Sequence, residues 1–192
     1  MRRCKKHLRN LIIEDCLKIG DFTLSSGRKS DYFIDLSKIY VRGDGAYLIG
    51  KTIYHHIKDM TFNSIGGPAM GAVPLVAATV VHYWRRQHKI KEGFYIRQDL
   101  GIEGRITCMH KAIVVEDVCT TGASAALAVK VAQEVVRCEV VQVLALVDRE
   151  EGARERFQEM GVKFDSIFKA KKLLDIVTNG KPLNLSGMEK TD

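Results

Sequence analysis

Two adjacent carboxylates close an apolar run, and small hydroxylated residues and a glycine follow them at once. The stretch is Ile113-Val114-Val115-Glu116-Asp117-Val118-Cys119-Thr120-Thr121-Gly122-Ala123-Ser124. Its apolar start predicts a buried strand that ends at the acids, and a helix is predicted from Ser124. Free N–H groups at the start of that helix, together with those of the loop, form an anion site suited to a phosphate. Thr120, Thr121 and Ser124 add hydroxyl donors, and Gly122 lets the backbone approach a ligand closely. Glu116 and Asp117 would repel a phosphate, but they suit ribose hydroxyls, directly or through Mg²⁺. Together these residues predict a site for a sugar phosphate. Helix capping explains one hydroxyl, but not two acids at a buried strand end.

The rest of the chain must hold this turn open to a ligand. Leu8, Leu11, Ile12, Cys16 and Ile19 recur at helical spacing, and Gly20 is expected to stop that helix. Residues 22–36 read as two short strands around the turn Ser25-Ser26-Gly27. Asp44 can cap a helix with the stripe Ile49, Ile53, Ile57 and Met60. Further strands are predicted over 62–65, 93–96, 111–116, 140–147 and 162–168, and helices over 73–84, 124–137 and 151–160. Several of the strands are apolar throughout, the pattern of a parallel sheet covered on both faces. Ligands in such sheets bind beyond the carboxyl ends of the strands. The expected fold is α/β, a central parallel sheet flanked by helices with a small N-terminal hood. A single domain is expected over 1–180, with the hood at about 8–40, the core at about 44–170 and a loose tail over 181–192.

The net charge is +7, and five of those charges come from Arg2, Arg3, Lys5, Lys6 and Arg9 ahead of any acid. This basic start reads as a solvated, frayed terminus in preference to a nucleic-acid-binding arm. The five cysteines are odd in number and none forms a CxxC pair, which argues against a zinc site or a disulfide framework and suits a reducing cytoplasm. Residues 65–84 carry no Lys, Arg, Asp or Glu, but their glycines and prolines predict a strand, a loop and a helix in place of a membrane span. No nucleic-acid or membrane partner is expected.

The 113–124 stretch resembles the phosphoribosyl pyrophosphate signature of type I phosphoribosyltransferases. Residues 20–33 (Gly-Asp-Phe-Thr-Leu-Ser-Ser-Gly-Arg-Lys-Ser-Asp-Tyr-Phe) are similar to the N-terminal segment of orotate phosphoribosyltransferases. Gly67-Pro68-Ala69-Met70-Gly71-Ala72-Val73-Pro74 resembles their pyrophosphate loop, and Asp148-Arg149-Glu150-Glu151-Gly152 the segment that presents an arginine to the orotate carboxylate. The resemblance runs from about Leu17 to Phe168.

It implies a magnesium-dependent enzyme of pyrimidine and UMP biosynthesis, cytoplasmic and homodimeric, that joins orotate to the ribose 5-phosphate of phosphoribosyl pyrophosphate. It assigns Arg97, Glu116 and Asp117 as catalytic. Ser25, Met70, Gly71, Arg97, Gln98 and residues 116–124, including Val118, Cys119 and Ala123, would bind phosphoribosyl pyrophosphate. Phe33, Ile34, Thr120 and Arg149 would bind orotate. No side chain is assigned as a direct metal ligand; Mg²⁺ would be carried by the substrate, with Asp117 as the residue nearest that role.

The sequence departs from the family in two places. Ser25 stands where many members have a lysine, and the lysine-rich loop after Arg97 is short, with no lysine between Lys91 and Lys111. Arg97, Arg105 and Lys111 are the cations left to face the pyrophosphate. The departures keep open a transferase for another base, or a non-catalytic sensor of phosphoribosyl pyrophosphate. Gly45 to Thr52 also fits GxxxxGK[ST], a nucleoside-triphosphate loop, but its apolar centre favours a helix.

Overall fold

The structure, a computed structural model, describes residues 2–23 and 27–180. It opens with a helix α1 (Arg2–Leu11) and a wider π turn over Ile12–Cys16. A hairpin of β1 (Leu17–Thr23) and β2 (Lys29–Ile34) forms a separate two-stranded antiparallel sheet. Next come α2 (Ser37–Tyr40), α3 (Gly43–Ile57), β3 (Ser64–Pro68), α4 (Ala72–Gln87), β4 (Glu92–Ile96) and β5 (Ile102–Gly104). The second half holds β6 (Lys111–Cys119), α5 (Ala123–Lys130) continued by a π turn over Val131–Val135, and β7 (Glu139–Asp148). It ends with α6 (Ala153–Glu159), β8 (Phe164–Lys169) and α7 (Ala170–Gly180).

The main sheet has six strands in the order β5-β4-β3-β6-β7-β8, all parallel except the edge strand β5. From β3 the chain first moves outward to β4, then returns past it to β6 and continues to β7 and β8. The order therefore reverses between β3 and β6, and a crevice opens at their carboxyl ends. Alternation in β6 serves both faces. Ile113 and Val115 pack into the layer with α3 and α4, while Ala112 and Val114 pack against α5 and Phe157.

Some expectations need correction. The first helix does not reach Gly20: residues Leu17–Thr23 pair with β2, so Ile19 and Gly20 lie in a strand. The basic terminus is not frayed. It is helical, and Leu8 and Leu11 anchor it in the core. The sheet is mixed, because Ile102–Gly104 adds an antiparallel edge. Within the expected domain, Ala170–Gly180 adds the helix α7, with Leu173 buried. Residues 45–52 lie within α3, so the nucleoside-triphosphate loop is excluded. Gly45 and Gly50 are there for close packing: a Cβ would sit 2.1 Å from the Ile39 carbonyl oxygen and 2.3 Å from that of Ala78.

Candidate active site

The carboxyl ends of β6 and β7 finish side by side, with Cys119 paired to Asp148. The Arg149 N–H donates to the Cys119 carbonyl at 2.9 Å and joins the two loops that follow. Between these loops and the β1–β2 hairpin lies a cleft of about 530 Å³. Phe33, Ile34, Glu116, Val118, Thr120, Thr121, Gly122, Ala123, Ser124 and Arg149 line it.

The start of α5, where the sequence predicts a phosphate, forms one end of the cleft. The first turn of a helix leaves its N–H groups without partners in the helix, and no side chain caps this one. Gly122 takes the left-handed conformation, φ 73°. A Cβ there would lie 2.8 Å from the Phe157 ring, so only glycine fits. Arg156 Nε donates to the Thr121 carbonyl at 2.7 Å and pins the loop from outside.

The two acids point to opposite sides of β6, as strand alternation requires. Glu116 lines the cleft, is only 8% exposed, and its Oε2 has no hydrogen-bond partner among the described residues. Burial pushes its carboxyl up to about 7. Asp117 faces the loop after β3, where a Cβ on Gly71 would come within 2.4 Å of its carboxyl group. Burial raises the Asp117 carboxyl as well, and its Oδ1 accepts the Val118 N–H at 2.8 Å. Neither acid forms an ion pair with a basic side chain among the described residues.

At the base end, Arg149 is 7% exposed. Its Nε donates to Glu151 at 2.8 Å and its Nη2 to Ser30 Oγ at 2.9 Å. The guanidinium carbon lies over the Tyr32 ring, 4.1 Å from the centroid. Glu151 is held in turn by Arg28. This leaves Nη1 as the nitrogen without an assigned partner, the arrangement needed to grip an anionic ligand group. Ser30, Tyr32, Glu151 and Arg156 were not among the residues expected from the sequence. Strand alternation does place Ser30 and Tyr32 on the face of Ile34, and that signal was available.

The pyrophosphate end is less complete. Arg97, Gln98 and Ser124 line a smaller cavity of about 220 Å³ that adjoins the cleft at Ser124. Arg97 is engaged by Asp99 at 3.0 Å through Nε and by Glu103 at 2.9 Å through Nη1. The hydrogen bond from Arg97 to Asp99 raises its pKa. Met70 is 74% exposed, so the loop 69–71 has backbone, not that side chain, to offer a ligand here. Arg105 and Lys111 do not reach the site. They pair with Glu92 at 3.1 Å and Glu139 at 3.3 Å at the opposite ends of the strands. The Cys119 thiol is buried in the core, so only its backbone serves the cleft. Ser25 lies outside the described residues.

No protein-family model matches the sequence. Curated relatives do. An orotate phosphoribosyltransferase of Rhodopseudomonas palustris (strain BisB5) is 40% identical over 167 residues, 81% of this chain and 88% of that protein. The orotate phosphoribosyltransferase of Aquifex aeolicus is 37% identical over 179 residues, 88% of this chain and 97% of the relative. Among solved structures, Mycobacterium tuberculosis orotate phosphoribosyltransferase in complex with Fe(III) dicitrate superposes with a TM-score of 0.78 at 32% identity, covering 88% of this chain and 98% of that one. The same enzyme in complex with phosphoribosyl pyrophosphate gives a TM-score of 0.75 at 30% identity, with the same coverage. An uncapped helix start, the unpaired Glu116 and a buried arginine thus line one cleft, in a chain that belongs to the orotate phosphoribosyltransferase family.

Proposed function

We propose that this chain transfers the ribose 5-phosphate of phosphoribosyl pyrophosphate to orotate, giving orotidine 5′-phosphate and pyrophosphate, a step of UMP biosynthesis. The observation that carries this reading is the buried, unpartnered Glu116 oxygen beside the open start of α5. A buried acceptor without a donor is costly, and a ribose hydroxyl supplies one. Glu116 and Asp117 hold the sugar, and the amides and hydroxyls of residues 120–124 hold its 5′-phosphate. Orotate lies against Phe33 and Ile34, with its carboxylate on Arg149 and an edge on Thr120. Met70 and Gly71 offer backbone to pyrophosphate, with Arg97 and Gln98 on its flank.

The reaction needs no protein nucleophile. Departure of pyrophosphate leaves positive charge on the sugar, and Glu116 and Asp117 are the negative groups beside it. Fixing both substrates in one cleft removes much of the entropic cost of their meeting. Among the described residues no group of three or more His, Cys, Asp or Glu side chains is placed to hold a metal ion. A cation held mainly by substrate oxygens fits this chain, with Asp117 as its protein neighbour. Bound so, Mg²⁺ neutralises charge on the leaving group.

We infer a homodimer from an apolar face on α3 and α4. Tyr47, Val81 and Trp84 are exposed there, and Tyr47, Val81 and His82 line a cavity of about 450 Å³. None of the helices described is long and apolar enough to cross a membrane, and the five free cysteines suit a cytoplasmic setting.

The test is a spectrophotometric assay with orotate, Mg²⁺ and phosphoribosyl pyrophosphate. Loss of orotate absorbance supports the reading, and none at high enzyme concentration overturns it. Replacing Lys51 by Ala leaves turnover intact, because that residue sits inside α3 and away from the cleft.

A further inference from the structure

We propose that the groove between α1 and α7 is a second binding site, for a small polyphosphate such as the phosphate chain of a nucleotide. The groove encloses about 530 Å³, as large as the substrate cleft. One wall is α1, whose Arg2, Lys5, Lys6 and Arg9 follow the i, i+3, i+4, i+7 spacing that puts residues on one helix face. The opposite wall adds Lys169 and Lys172. Six cations therefore converge on one concave space.

Acids do not balance them. Asp165 is the one acid on the lining, and His56 already engages it at 3.0 Å. Lys169 reaches Glu150 at 2.6 Å. Arg2, Lys5, Lys6, Arg9 and Lys172 form no ion pair among the described residues. Arg9 carries the most telling atom: its Nε is buried and has no acceptor among the described residues. A buried donor of this kind calls for an acceptor, and an anion oxygen in the groove supplies it.

The shape favours a compact ligand over a nucleic acid. A nucleic-acid surface spreads its cations along an extended stripe, whereas these face one another across a cavity and focus their field inside it. Phe168, Leu173 and Ile176 form an apolar floor. Lys5 Nζ lies over the Phe168 ring, 5.4 Å from its centre, which holds the ammonium against that floor. The charged walls take phosphate, and the floor has room for the apolar part of a nucleoside.

The experiment is isothermal titration calorimetry on the full chain at low ionic strength, with tripolyphosphate in one arm and ATP in another. The native chain should bind tripolyphosphate, and Lys6→Gln/Lys172→Gln should weaken that binding by about tenfold or more. Arg2→Gln/Lys5→Gln provides a second, independent pair should the first not fold. Tighter binding of ATP than of tripolyphosphate assigns the ligand as a nucleotide; equal binding assigns the inorganic chain, and both support a polyphosphate site. Identical isotherms for native and variant chains overturn the proposal. So does binding of a long RNA duplex with no response to tripolyphosphate. Orotate turnover is measured separately, so failure of the groove and failure of the transferase reading are told apart.

Discussion

In the cleft between the β6 and β7 loops, the loop before α5 and the guanidinium of Arg149 are held before any ligand arrives. Gly122 shapes the loop, Arg156 fastens it, and Tyr32, Ser30 and Glu151 fix the guanidinium of Arg149. On the pyrophosphate side the main cation is spoken for. Arg97 is bound by Asp99 and Glu103 across a tight turn, in which the Arg97 N–H donates to the Gly101 carbonyl at 2.8 Å. The first region is preorganised, which is what electrostatic catalysis requires. The second must exchange partners before it can act. On the proposed reading, recognition of sugar and base is preorganised, and leaving-group stabilisation is the place to look for a limit on rate.

The comparison can be broken most sharply at Asp117. Asp117→Asn is expected to lower kcat by about 10²–10³, and a loss under tenfold would remove this acid from the working site. Next is Arg149→Ala, with a fall of about 10² in kcat/KM for orotate, as for truncating one partner of a buried charge pair. Lysine should restore little of it, since it lacks the flat fork. A defect confined to the KM for phosphoribosyl pyrophosphate would contradict the assignment.

Glu116 allows a test through stability. Its carboxyl is raised from 4.5 to about 7 in the folded chain. Between those values the folded state keeps a proton that the unfolded state has lost, so stability falls as pH rises through the window. Above it the native chain should forgo roughly 3 kcal/mol. Glu116→Gln carries no such penalty, so its advantage in Tm over the native chain should widen from about pH 5 to about pH 8. A gap that ignores pH would show that Glu116 is not desolvated.

The smallest effect concerns Arg97. Asp99→Asn/Glu103→Gln should free it and lower the KM for phosphoribosyl pyrophosphate up to about fivefold, the scale of exposed ion pairs. No change in that KM would mark the pair as a structural brace for the turn, and the two ends of the cleft would then differ in kind.

Much of this was readable from residue order. The apolar run of β6, the acids at its end and the glycine of the following loop are local signals, and they point to the stretch that lines the cleft. The limits came from non-local contacts. Leu17–Thr23 carries the tail of a helical stripe, and only pairing with β2 makes it a strand. Ile102–Gly104 is three residues long and exists as a strand because β4 offers an edge. The family resemblance implies Arg97 near the pyrophosphate, but it says nothing of the grip of Asp99 and Glu103. Tyr32 was overlooked beside Phe33 because its role depends on Arg149, more than a hundred positions away. The P-loop pattern in α3 is a chance match, as its apolar centre indicated: two glycines needed for close packing mimic a phosphate loop.

The single hydrogen bond from the Arg149 amide to the Cys119 carbonyl has one more effect. It ties the loop after β6 to the loop after β7, so the span between the start of α5 and the Arg149 guanidinium is set like a calliper.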